Sequence, residues 1–146
     1  MKKNFEVLLL ESRKKVIAAI NLVSASLDGL EVYDPGKSYS PKELEPYDAL
    51  SDRFIRAIET SIKFFKTYEY YLFSENSISY RDLLLKMEKH SVISKVGIWV
   101  DMRDVRNRVV HEYLPDQVKD MYALIFGEFY SELRLVKQSI LAINIV

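Results

Sequence analysis

PYDALSDRFIRAIETSIKFFKTYEYYLF, residues 46–73, is the stretch whose reading decides the fold. Leu50, Phe54, Ile58, Ile62, Phe65 and Leu72 recur at helical spacing, so at 3.6 residues per turn they form one apolar stripe. No two-residue alternation competes with that period, and strands are not expected. The reading is one long helix starting at Pro46 or Tyr47 and ending near Phe73. Its stripe needs further helices to cover it. Toward its end Phe64, Phe65, Tyr68, Tyr70, Tyr71 and Phe73 run almost all the way round the helix. That suggests burial on two sides, either in an ordinary core with tyrosines at its rim or against another chain.

Outward toward the N-terminus, residues 34–46 hold three of the four prolines (Pro35, Pro41 and Pro46) and a glycine, so a loop crosses there. Within it Ser40-Pro41-Lys42-Glu43 has the form of a capping box opening a short turn. Before the loop, Phe5, Leu8, Leu9, Val16, Ala19, Ile20, Val23, Leu27 and Leu30 recur at spacings of three and four, predicting a helix from Phe5 to Leu30. Glu6 and the charged run from Glu11 to Lys15 argue against a signal peptide. No window approaches eighteen apolar residues, so no membrane span is expected and a cytoplasmic location is the default.

Outward toward the C-terminus, Ser79 with Asp82 caps a short third helix that ends near His90, a histidine read as structural. A fourth helix, capped by Ser94, carries Val96, Trp99, Val100 and Met102 and stops before Pro115. A final helix from Asp116 carries Val118, Tyr122, Ile125, Phe129, Leu133, Val136 and Ile140, a seam suited to a bundle or a dimer. Gly127 inside it is a candidate for close helix contact. The apolar tail from Ile140 to Val146 is expected to pack on the bundle or on a partner. The fold class is therefore all-α, an up-and-down bundle of four to five helices, with residues 1–146 as a single domain.

The 146 residues carry 21 basic and 21 acidic side chains, so the chain lacks the broad positive field of a general nucleic-acid coat. With no cysteine and two histidines, thiol catalysis and cysteine zinc sites are excluded, and neither a metal nor another cofactor is expected. Glycine-rich phosphate loops, Gly-x-Ser-x-Gly and His-Glu-x-x-His are all missing from the sequence.

One segment remains as a source of chemistry. Asp101-Met-Arg-Asp-Val-Arg-Asn-Arg-Val-Val-His-Glu-Tyr113 gathers three arginines, an amide, a histidine and a tyrosine. On a helix, Asn107 and His111 lie one turn apart, and Arg106, Val110 and Tyr113 form a neighbouring line. Imidazole moves protons near neutral pH, and guanidinium forks onto phosphate oxygens. Together they suit phosphodiester cleavage with a ribose 2′-hydroxyl as the tethered nucleophile, which needs no metal. Such a reaction wants both a base and an acid, whereas each chain offers one histidine in this region. A catalytic site here therefore belongs at a homodimer interface, where a two-fold axis supplies the pair. The bland alternative is that these arginines form surface ion pairs with Asp101, Asp104 and Glu112, and that Asn, His and Tyr only finish a helix.

The Arg106-x4-His111 spacing resembles the motif of the HEPN superfamily of all-helical ribonucleases, and Arg106-Asn107 with His111-x-Tyr113 resembles its HepT-like toxin branch. The likeness runs through Leu50 to Phe54, Leu83 to Met87 and Trp99 to Tyr113, covering roughly residues 44–115. The resemblance implies that Arg106 holds the scissile phosphate, His111 moves the proton and Asn107 orients the site. It also implies that Tyr113 receives AMP from an MntA-like nucleotidyltransferase antitoxin, which switches the ribonuclease off. Arg103, three residues before Arg106, is a possible contact to the RNA backbone, and Arg108 is a solvated charge. The implied function is the endoribonuclease toxin of a type VII HEPN/MNT toxin–antitoxin system. The alternative is a non-catalytic helical substrate-binding or regulatory subunit of a nucleotidyltransferase.

Overall fold

The structure is a computed structural model that describes residues 2–111 and 115–145, with the side chains of residue 2 and of residues 109–111 and 115–118 left aside. The helices are α1 (Lys2–Leu27), α2 (Pro41–Phe73), α3 (Tyr80–Lys89), α4 (Val96–His111), α5 (Pro115–Leu124) and α6 (Tyr130–Leu141), with a π turn (Ile125–Phe129) joining the last two into one rod. No strand occurs among the described residues. The expected all-helical bundle, with four to five helices, is what the described residues form, in five rods.

Helix α2 is the axis. Phe5 at the start of α1 stacks on Tyr70 near the end of α2, ring centroids 4.6 Å apart, so these two helices run antiparallel. On another side Phe65 meets Trp99 of α4 edge-on at 4.9 Å, and farther up α2 Glu59 meets Arg106, so α4 is antiparallel to α2 as well. Phe54 stacks on Phe129 and Tyr47 packs against Tyr122, which sets the final rod parallel to α2. The two-sided burial expected of the aromatic end of α2 is thus met inside the chain, by α1 and by α4. Phe64 and Phe65 are fully buried and Tyr68 nearly so; Leu72 and Phe73 stay exposed.

Helix α2 begins five residues earlier than its apolar stripe suggests. Ser40 caps it: the hydroxyl accepts from the Glu43 N–H at 3.1 Å while the Glu43 carboxylate accepts from the Ser40 N–H at 3.1 Å. The capping box therefore opens the long helix itself, not a separate turn, and holds the Glu43 carboxyl below its ordinary range through the Ser40 backbone and hydroxyl bonds. Pro41 sits at the first turn, where its missing N–H costs nothing, and Pro46 is carried inside the helix on its exposed side. At the other boundary α1 stops at Leu27, short of Leu30, because Gly29 takes φ +74°, a conformation that favours glycine. Leu8 and its neighbour Val7 face solvent, so Leu8 leaves the apolar stripe assigned to it.

Two further departures lie at α4 and in the last rod. Ser94 does not cap α4. Its N–H and hydroxyl go to the Glu132 carboxylate of α6, and the Glu88 carboxylate accepts from the Val96 N–H at 2.8 Å. In the last rod the apolar steps Ile125, Phe129 and Leu133 are two consecutive fours, which advance about 80° past two full α-helical turns. The π turn at Ile125–Phe129 is wider and takes up that drift, keeping the seam on the core. Gly127 lies in this turn with open space where a Cβ would stand, so it does not mark a close helix contact. Beyond α6 the tail packs on the bundle: Ile143 and Ile145 are half-buried, and the Arg13 guanidinium of α1 donates to the Ile143 carbonyl at 3.0 Å. No described helix is long and apolar enough to cross a membrane.

Candidate functional site

The face that α4 offers follows from what it buries. Val96, Trp99, Met102 and Val105 follow one another every three residues and are all buried. That fixes the roll of the helix and leaves Arg103, Asp104, Asn107 and Arg108 exposed, with Arg106 half-buried between. The N-terminal half is also pinned by polar contacts. Buried Glu132 accepts from the Trp99 indole N–H at 2.8 Å and from the Ser94 N–H at 3.0 Å.

Arg106 reaches out from this base in two directions. Its Nη1 donates to Glu59 Oε1 of α2 at 3.3 Å, and its Nη2 donates to Asn107 Oδ1 at 3.2 Å. Of the ion pairs in the bland alternative, none to Asp101 or Asp104 forms among the described residues, and Glu112 lies outside them; Arg106 pairs instead with a carboxylate 47 residues earlier in the chain. Arg103 lies over the Tyr80 ring, its guanidinium carbon 4.5 Å from the ring centroid, in a cation–π contact. The Tyr80 hydroxyl donates to the Trp99 carbonyl at 3.3 Å. Burial pushes its pKa up to about 12 against the opposing pull of Arg103 and Arg106, so the phenol stays protonated.

Arg103 and Arg106 open onto one cleft of about 520 Å³, closed on the far side by Lys66 of α2 and by the loop from Asn76 to Ser79. Buried Glu69 ties that loop down. Its carboxylate accepts from the Ser77 N–H at 2.8 Å and from the Ser77 hydroxyl, and pairs with Lys86 at 3.0 Å. Burial alone would raise the Glu69 carboxyl, but the two Ser77 bonds and the Lys86 ammonium outweigh it and hold the group below its ordinary value. His90, expected to be structural, ends α3 as an exposed C-cap, its ring edge-on to Phe73 with the ring centroids 5.3 Å apart.

Of the residues singled out from sequence, Arg103, Arg106 and Asn107 come together at this cleft or its rim, and Arg108 is exposed apart from it. His111 is the last residue of α4, one turn beyond Asn107, and its side chain lies outside the described residues. Tyr113 also falls outside them. Glu59, Lys66, Glu69 and Tyr80 are the site's unannounced members. Only Tyr80 carried a local signal, since it directly follows the Ser79 cap.

No curated protein matches the chain at a significant level. A family profile does, over residues 18–141, which takes in the C-terminal part of α1 from residue 18, all of α2 to α4 and the final rod. The cleft and its arginines lie wholly within that span, and the chain belongs to the family described as nucleotidyltransferase substrate binding protein like.

Proposed function

We propose that this chain is a metal-independent endoribonuclease of the HEPN type, the toxin of a pair whose antitoxin is a nucleotidyltransferase. The observation that carries the reading is the arrangement at the end of α4. Arg106 is braced by Asn107 and opens on a cationic cleft, and His111 lies one turn farther on, in a chain of the matching all-helical class. In the reaction the ribose 2′-oxygen attacks the neighbouring phosphorus and the bond to the 5′-oxygen breaks. The products are a 2′,3′-cyclic phosphate and a 5′-hydroxyl. One imidazole takes the 2′ proton and a second, from His111 of the partner copy, delivers a proton to the 5′-oxygen. Arg106 neutralises the charge that builds on the non-bridging oxygens. Addition of AMP to Tyr113 places further negative charge beside this site and repels RNA.

The family's description favours a second reading, in which the chain is a non-catalytic companion that binds substrate for a nucleotidyltransferase. One experiment separates the two. The parent protein and its His111→Ala variant are expressed without partner, and RNA is followed on gels with end-group analysis. The ribonuclease reading expects growth arrest and cyclic phosphate ends that fall at least about 100-fold in the variant. If the parent neither arrests growth nor cuts RNA, the companion reading replaces it. Co-expression with a nucleotidyltransferase encoded beside it is expected to add AMP to Tyr113, detected by mass spectrometry.

A further inference from the structure

We propose that the cleft beside Arg106 is a subsite, complete within one chain, for the nucleotide adjoining the scissile phosphate, with that nucleotide's own phosphate held by Lys66 and Arg103. The inference rests on the ribonuclease reading and adds to it a place where the strand is gripped away from the reacting bond.

Three features of the cleft carry it. The first is size: about 520 Å³ falls within the range of clefts that hold small ligands, roughly 300–1,000 Å³. The second is charge. Lys66, Arg103 and Arg106 all line the cleft, and neither Lys66 nor Arg103 has an ion-pair partner among the described residues. The acid in the same wall, Glu69, is buried and already engaged by Lys86 and Ser77, so it presents little negative charge to a ligand. The cleft is therefore a local positive site in a chain of zero net charge.

The third feature is preorganisation. The cation–π contact with Tyr80 restricts the Arg103 guanidinium, whose N–H groups can fork onto phosphate oxygens. Tyr80 is itself fixed by its bond to the Trp99 carbonyl. Arg103 and Arg106 are three residues apart on α4, an axial rise of about 4.5 Å, which suits neighbouring phosphates of one strand. His111 lies on the other side of Arg106, so the strand passes from the reacting phosphate up the helix and into the cleft. Ile78 stands fully exposed at the cleft and offers an apolar surface to a base.

The test uses the full chain carrying His111→Ala, which binds without cutting, and compares it with the same chain also carrying Lys66→Gln and Arg103→Gln. Both side chains are exposed and the replacements keep much of their stems, so thermal melting should be unchanged. A labelled single-stranded RNA is titrated by fluorescence anisotropy over a range of salt, and AMP is titrated separately. The expected result is RNA affinity at least tenfold weaker, with the slope of log affinity against log salt reduced by about one to two. Unchanged RNA affinity overturns the proposal. Loss of AMP binding with RNA binding intact also overturns it, by assigning the cleft to a free nucleotide. Binding is read without cleavage, so a parent that grips RNA through these residues yet does not cut it retains the subsite and loses the ribonuclease reading.

Discussion

The two halves of α4 follow opposite rules. From Val96 to Val105 the helix is held: Trp99 and Met102 are fully buried, the indole and Ser94 are fastened to Glu132, and Val96 is fastened to Glu88. From Arg106 onward the contacts that are described are few and exposed, a 3.3 Å ion pair to Glu59 and a 3.2 Å bond to Asn107. The difference teaches how one helix serves both fold and site. The buried half fixes the roll and height of α4, and Arg106 and Asn107 inherit that precision.

Breaking the held half should have the largest effect. Trp99→Ala empties the volume that packs on Phe65 and leaves Glu132 without its indole donor, so a loss of about 3–5 kcal/mol is expected in denaturant unfolding. Should the loss be under about 1 kcal/mol, Trp99 is not the anchor of α4. The charged half should respond in the opposite sense. Arg106→Ala is expected to lower RNA cleavage at least about 100-fold, which is about 2.7 kcal/mol in barrier, with little change in unfolding. Equal losses of stability and activity in that variant would erase the contrast between the halves.

The wall facing the charged half is sharpened by pH. Glu69 is held below its unfolded value near 4.5, so its contribution to stability is complete above that value and is lost as pH falls through the folded value. Glu69→Gln keeps a hydrogen-bonding oxygen but loses the pairing with Lys86. It should cost about 1–3 kcal/mol at neutral pH. It should also flatten the fall in melting temperature between pH 6 and pH 3. A variant whose melting temperature falls as steeply as the parent's assigns that acid sensitivity to other carboxylates.

Much of this contrast is legible in the sequence, and the part that is not has a physical reason. The roll of α4 follows from the three-residue spacing of Val96, Trp99, Met102 and Val105, because burial of one stripe dictates the other face. Ser79 announces α3 through its cap. The start of α2 was obscured because Pro46 reads as a boundary, although the Ser40–Glu43 box and Pro41 outweigh it. Ser94 looked like a cap only because its partner, Glu132, lies 38 residues away. The same holds for Glu59 and Tyr80, which reach α4 through helix crossings that no local period encodes.

The smallest effect is expected where the two halves are hardest to separate, at Glu59. Its pair with Arg106 is exposed on the Glu59 side and half-buried on the other, a setting in which ion pairs contribute about 0–1 kcal/mol. Glu59→Gln should therefore leave the melting temperature nearly unchanged. Its influence on RNA is a matter of charge: a carboxylate at 3.3 Å competes with phosphate for the same guanidinium. In the His111→Ala background, Glu59→Gln is expected to tighten RNA binding by up to about fivefold, read by anisotropy at low salt. Weaker binding would instead mean that Glu59 positions Arg106, and that the charged half of α4 is held from α2 just as the buried half is held from α6.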